Sequence, residues 1–170
     1  MVNKAIAPGA SSSGTATAIS GNFAVVGLAE ETGGSIQNPA TAQSLVSVKP
    51  TFALVPNTGV TPLAGSTRDV VGPHARTVKD AALLLDVLAG YSGEDPKTVA
   101  AIGKIPEGGF TSKLSNKALN GARVGLYGPG WRTKPLSDET RALYEKAIVE
   151  LKAQGAVIVE DPFAGIRFSS

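Results

Sequence analysis

The stretch Ala29-Glu30-Glu31-Thr32-Gly33-Gly34-Ser35-Ile36-Gln37-Asn38-Pro39 decides how this chain is read. Just before it, Phe23-Ala24-Val25-Val26-Gly27-Leu28 is apolar and partly β-branched, which predicts a buried strand running into the glycine pair. Ser35 stands where the next helix opens. A strand, a tight turn and a helix expose the residue at the turn and aim backbone N–H groups at one point. Gly33 and Gly34 let the main chain approach a substrate unobstructed and reach dihedrals that other residues avoid. A serine hydroxyl attacks a carbonyl only when a base takes its proton, and the tetrahedral intermediate needs N–H donors at its oxyanion. The turn from Thr32 to Ser35 can supply nucleophile and donors together.

A second serine- and glycine-rich turn lies upstream, Pro8-Gly9-Ala10-Ser11-Ser12-Ser13-Gly14, followed by small residues that predict a short helix over 12–20. Its Gly-x-x-x-x-Gly spacing also fits part of a phosphate loop, but Thr15 occupies the position that needs lysine. A Gly-Gly-Ser alone is a weak signal, because such turns are common in ordinary loops. Further segments follow in order: Val48-Lys49-Pro50-Thr51, Gly59-Val60-Thr61-Pro62-Leu63 and Asp69-Val70-Val71-Gly72-Pro73-His74-Ala75-Arg76-Thr77-Val78.

Taken together, these segments resemble the amidase signature family, serine hydrolases that cleave carboxamides with a Ser, cis-Ser, Lys triad. The resemblance implies an α/β fold with a mixed sheet flanked by helices, and a carboxamide hydrolysed to a carboxylic acid plus ammonia or an amine. It implies that Ser35 is the nucleophile, that Ser11 is the bridging serine after a cis peptide, and that Thr32, Gly33, Gly34 and Ser35 form the oxyanion hole. Ser12 and Ser13 flank the bridge and would orient it. The family's lysine base lies some tens of residues before the serine loop; Lys4 is too close to Ser11, and Lys49 belongs to the Lys-Pro-Thr segment. The chain therefore reads as a central fragment of such a protein, an incomplete core whose isolated activity is absent or weak. The alternative is a non-catalytic module, either a degenerate homologue or a fragment, that only binds. Three positions depart from the family pattern: Ala10 stands in place of glycine, which leaves a trans Ala10–Ser11 bond open; Gln37 replaces an arginine; Glu30 replaces a threonine.

Composition narrows the classes. The chain has 170 residues, 42% of them hydrophobic and 18% charged, enough for one core, so 1–170 is expected as a single domain. A net charge of +2, with scattered lysines and arginines, gives no basic footprint for nucleic acid or a membrane surface. With no cysteine and one histidine, disulfides, thiol catalysis, cysteine metal sites and a multi-histidine metal centre are excluded. No organic cofactor is implied. A cytoplasmic location is favoured, and an incomplete sheet would leave apolar surface for association or a homo-oligomer.

Downstream, 77–89 predicts a helix buried almost all round, and 90–121 a long surface excursion. Residues 123–127 and 156–159 predict parallel strands around a helix over 138–154, capped by Ser137 and ended by Gly155. That helix would bury Leu143, Ala147, Ile148 and Leu151 and carry the pairs Arg141–Glu145 and Lys146–Glu150. His74 reads as a buried structural histidine, Asp69 and Arg76 as a charge pair, and Trp131 as a loop anchor or pocket rim.

Overall fold

The computed structural model describes residues 7–65, 67–126 and 137–163. The predicted strand end at Tyr127, and Lys4, Trp131 and the segment from 164 onward, lie outside the described residues. The chain is an α/β protein with sheets flanked by helices, and it divides into two compact units, Met1–Leu114 and Ser115–Ser170.

In the first unit, a three-stranded antiparallel sheet has the order β1 (Gly27–Glu31), β3 (Val70–Ala75), β2 (Val46–Ser47). All six residues of the central β3 are buried. Pro73 is unusual in a central strand because it lacks a ladder donor. It is tolerated because the two-residue β2 pairs only with Ala75 and His74, and beyond them the Pro73 carbonyl accepts from Val48 N at 3.2 Å. Gly72 is required by a close approach: a Cβ there would run into the Val48 carbonyl and stand 2.9 Å from Pro50 Cδ and 3.1 Å from Ile36 Cδ1. The Gly72-Pro73 and Lys49-Pro50-Thr51 segments thus pack as one joint.

The strand predicted over 23–28 begins only at Gly27. Phe23 and Val25 are exposed, because Phe23 N and Ala24 N both bond back to the Ala18 carbonyl and close the end of helix α1 (Ser13–Ser20). Helix α2 (Gln37–Ala42) follows Ser35 directly. Helix α3 (Val78–Leu88) is one residue shorter at each end than the predicted 77–89, since Thr77 is its cap, with the hydroxyl accepting from Asp80 N at 3.1 Å. It is not buried all round: Ala81, Ala82 and Leu85 face the core, while Val78, Leu83 and Val87 are exposed. One face of the sheet packs Ala29 and Val70 with Ile36, and the other packs Val71 with Val55 and Leu85. The stretch after α3 carries 3-10 turns at Pro96–Ala101 and Thr111–Lys113. It is tied down by buried Thr98 and Ala101, and by Asp86, whose carboxylate accepts from the backbone of Phe110 and Thr111 and from the Thr111 hydroxyl at 2.6 Å.

Asp69 is buried and does not pair with Arg76. Its carboxylate accepts the Thr32 hydroxyl at 2.6 Å and the N–H groups of Leu63, Ala64 and Gly65 at 2.7 to 2.9 Å. The Thr32 hydroxyl above all, then those amides, hold its pKa at about 2 against the opposing effect of burial. Arg76 instead donates to the carbonyls of Ile19 and Ala24, at 2.9 and 3.1 Å, and fixes the end of α1.

In the second unit, β4 (Arg123–Leu126) and β5 (Val157–Glu160) are parallel, joined through helix α4 (Asp138–Ala153). The Ser137 hydroxyl caps the helix at Thr140 N, and Gly155 takes the left-handed conformation after it, φ +88°. The predicted buried face is not formed: Leu143 is 62% exposed, Ala147 is exposed, and Ile148 and Leu151 are half-buried. Of the two predicted ion pairs, Lys146–Glu150 forms at 3.7 Å and Arg141–Glu145 does not. No helix among the described residues is long and apolar enough to cross a membrane.

Two outcomes follow for stability. Gly72→Ala forces overpacking at a site walled by backbone and is expected to cost about 1–3 kcal/mol or more, read as a fall in unfolding midpoint. Asp69, with a folded pKa depressed from 3.8 to about 2, stabilises the fold above the unfolded value and loses that contribution as pH falls through the folded one. The stability gap between the parent chain and Asp69→Asn should therefore be full at pH 5 and shrink between roughly pH 4 and 2. A gap that is constant over that range contradicts the assignment.

Candidate active site

The two serine turns meet. Ser12 N donates to the Ser35 carbonyl at 3.2 Å, so Ser11 and Ser35 belong to directly joined segments. The peptide between Ala10 and Ser11 is cis. Ser12 precedes α1, yet its hydroxyl makes no capping bond to the helix. It turns to β1 instead, donating to the Glu30 carbonyl and accepting from Glu30 N, both at 3.1 Å. Thr15 donates to the Leu28 carbonyl at 2.8 Å. Side chains from the start of α1 thus complete the outward edge of β1, the strand that leads into the glycine turn. Ser13 is the first residue of α1, and its carbonyl also receives a long 3.5 Å contact from Gln43 Nε2.

On the other side, the turn is held by Glu31, which is 1% exposed. Its carboxylate accepts Ile36 N at 2.9 Å, Gln37 N at 3.0 Å and Gln37 Nε2 at 2.7 Å. The two backbone N–H groups stand at the start of α2 and have no partner within the helix. Burial raises the Glu31 pKa, and the donors of Gln37, Ile36 and Gly34 outweigh it, so the group sits below its ordinary value. Where the resemblance implies an arginine, Gln37 still ties the loop: its neutral amide donates to Glu31 without a positive charge. Asn38 N returns to the Gly34 carbonyl at 2.8 Å, and Gly34 has φ +113°, a conformation suited to glycine. At Gly33 a Cβ would meet nothing within 4 Å, so the main chain there faces open space.

His74 is fully buried, and its Nε2 bonds the Ile36 carbonyl at 2.8 Å. A carbonyl only accepts, so Nε2 carries the proton. The residue anchors the turn from beneath, as a structural histidine. Ile36, fully buried as well, plugs the core one residue after Ser35.

Ser11, Ser12, Gly14, Thr15, Leu28, Ala29, Glu30, Val60 and Val71 line a cavity of about 400 Å³. Its polar wall is the serine loop, and its apolar wall is Leu28, Val60 and Val71. Thr32, beside it, reaches Asp69 rather than the cavity. The sequence reading missed Glu31 and gave Asp69 the wrong partner. Both stand within segments already singled out, and what could have marked them is a carboxylate placed just before a turn rich in unpaired N–H groups. No group of three or more His, Cys, Asp or Glu among the described residues is arranged to hold a metal ion.

Comparison with known proteins gives the same reading. A sequence model of the family described as Amidase matches residues 2–167. A polypeptide of the glutamyl-tRNA(Gln) amidotransferase of Hyphomonas neptunium is 38% identical over 158 residues, which cover 93% of this chain and 31% of that protein. The peptide amidase of Stenotrophomonas maltophilia superposes with a TM-score of 0.78 at 36% identity, over 91% of this chain and 31% of that one. An amidase family protein of Bacillus anthracis gives a TM-score of 0.79 at 36% identity, over 89% and 29%. The chain spans about a third of the length of these relatives, and over that span its serine turns, its sheet and its sequence agree on one assignment: it belongs to the amidase family, of the amidase signature type.

Proposed function

We propose that this chain carries the nucleophile, the bridging serine and the oxyanion hole of a serine amidohydrolase, and that the lysine base is supplied by none of its 170 residues. The observation that supports this most is the Ser12–Ser35 tie, with the free backbone at Gly33 beside it. In the reaction, Ser35 Oγ attacks the amide carbonyl while its proton passes to Ser11, and from Ser11 to the base. The C–N bond then breaks, the base returns the proton to the departing ammonia or amine, and water hydrolyses the acyl-serine. The N–H groups of Thr32, Gly33, Gly34 and Ser35 receive the oxyanion, with Gly33 and Ser35 leading because Gly34 also serves Glu31. Ser12 orients the bridge by fixing the loop to β1, and Ser13 starts the helix behind it. The substrate is a small carboxamide.

An activated ester needs no leaving-group protonation, so Ser35 can be acylated slowly, with solvent hydroxide taking its proton in place of the lysine, and the nucleophile is tested without that base. With p-nitrophenyl butyrate, the chain is expected to release one p-nitrophenolate per molecule, with the acyl group on Ser35 by peptide mass spectrometry and none in Ser35→Ala. Simple amides should give no ammonia above buffer. An acyl group on other serines, or none, contradicts the role of Ser35; amide turnover lost in Ser35→Ala contradicts the missing base.

A further inference from the structure

Glu30 is the one carboxylate of this region whose hydrogen bonding is left open. Glu31 collects donors from Ile36 and Gln37, and Asp69 from Thr32 and three backbone amides. Glu30 Oε1 lies 3.3 Å from the Thr32 hydroxyl, but that hydroxyl has a single proton and sits 2.6 Å from Asp69. The shorter bond takes it. Among the described residues no lysine, arginine or histidine forms an ion pair with Glu30. Its surroundings are negative instead: burial first, then the charges of Asp69 and Glu31, raise its pKa above the ordinary carboxylate value. Such a group gains most from a cationic donor brought to it.

The strand places it on the wall of the cavity that Ser11 and Ser12 also line. Along β1 the residues alternate, with Ala29 and Glu31 buried on one face and Leu28 and Glu30 on the other. Glu30 is paired with Val71, and both line the cavity that Ser11 and Ser12 bound on its polar side. A carboxylate therefore stands beside an apolar floor of Val60 and Val71, next to the serine loop. An alkyl stem ending in a cation matches that combination.

We propose that Glu30 is a specificity-determining residue: the cavity takes a carboxamide carrying an ammonium or guanidinium group, which meets the Glu30 carboxylate while its alkyl stem lies on Val60 and Val71. The inference rests on the serine amidase reading of the same site. A threonine at this position would offer no such charge.

The test compares acylation of Ser35 by p-nitrophenyl 6-aminohexanoate with that by the isosteric p-nitrophenyl heptanoate, each rate divided by that ester's own hydrolysis rate in buffer. The cationic ester is expected to react on the order of tenfold faster, and the preference to vanish in both Glu30→Gln and Glu30→Thr. Equal rates, or a preference that survives in Glu30→Gln, overturn the proposal. Calorimetry with 6-aminohexanamide and heptanamide decides the same point without chemistry: binding about tenfold tighter for the cation, lost in Glu30→Gln, supports it, and equal or undetectable binding of both overturns it. Failure of both esters to acylate Ser35 counts against the nucleophile, whereas normal acylation without charge preference counts against Glu30 alone.

Discussion

The outward edge of β1 is the constraint on which the site depends. An edge strand presents unpaired N–H and C=O groups, and this one leads directly into the glycine turn. Here the partners are side chains: Ser12 serves both the N–H and the carbonyl of Glu30, and Thr15 serves the carbonyl of Leu28. Each such bond is worth about 0.5–1.5 kcal/mol net, less than the cost of leaving the group buried and unpaired. The consequence is positional. Once Ser12 is committed to β1, its neighbour Ser11 is fixed beside that strand, and Ser12 N reaches the Ser35 carbonyl. The serine-rich composition of this loop is therefore a hydrogen-bonding requirement as much as a chemical one.

Two buried carboxylates fix the remaining sides of the turn. Glu31 gathers the free N–H groups at the start of α2, and Asp69 gathers those of residues 63–65 together with the Thr32 hydroxyl. A buried charge is tolerated only when donors surround it, and bonds to charged groups are stronger than neutral ones, about 1.5–3 kcal/mol each. Both ends of Thr32-Gly33-Gly34-Ser35 are held in this way, while Gly33 stays open. Rigid support around an unobstructed backbone is the arrangement that preorganised oxyanion stabilisation requires.

Much of this was legible in the sequence, where signals were local. Ser137 and Gly155 marked helix ends because capping chemistry is set by one or two residues, and the parallel β4–β5 pair followed from its strand, helix, strand pattern. Burial was less legible. Phe23, Val25, Leu83, Val87 and Leu143 read as core by periodicity and are exposed, because apolar pattern reports a face to be covered and not what covers it. Asp69 and Arg76 read as a pair because opposite charges near one turn suggest each other; backbone groups claimed both, which no charge pattern reveals. Gln37 shows the converse: where a charged residue was expected, a neutral amide makes the contact with Glu31.

The central claim, that a serine side chain finishes β1 and so joins the two turns, is tested most directly by amide hydrogen exchange at Glu30. In the parent chain Glu30 N–H should be protected to the level of the β1–β3 ladder, and in Ser12→Ala it should exchange far faster while the amides paired between β1 and β3 keep their protection. Equal protection of Glu30 in the parent and in Ser12→Ala would contradict the account, since the edge would then be held by something other than Ser12.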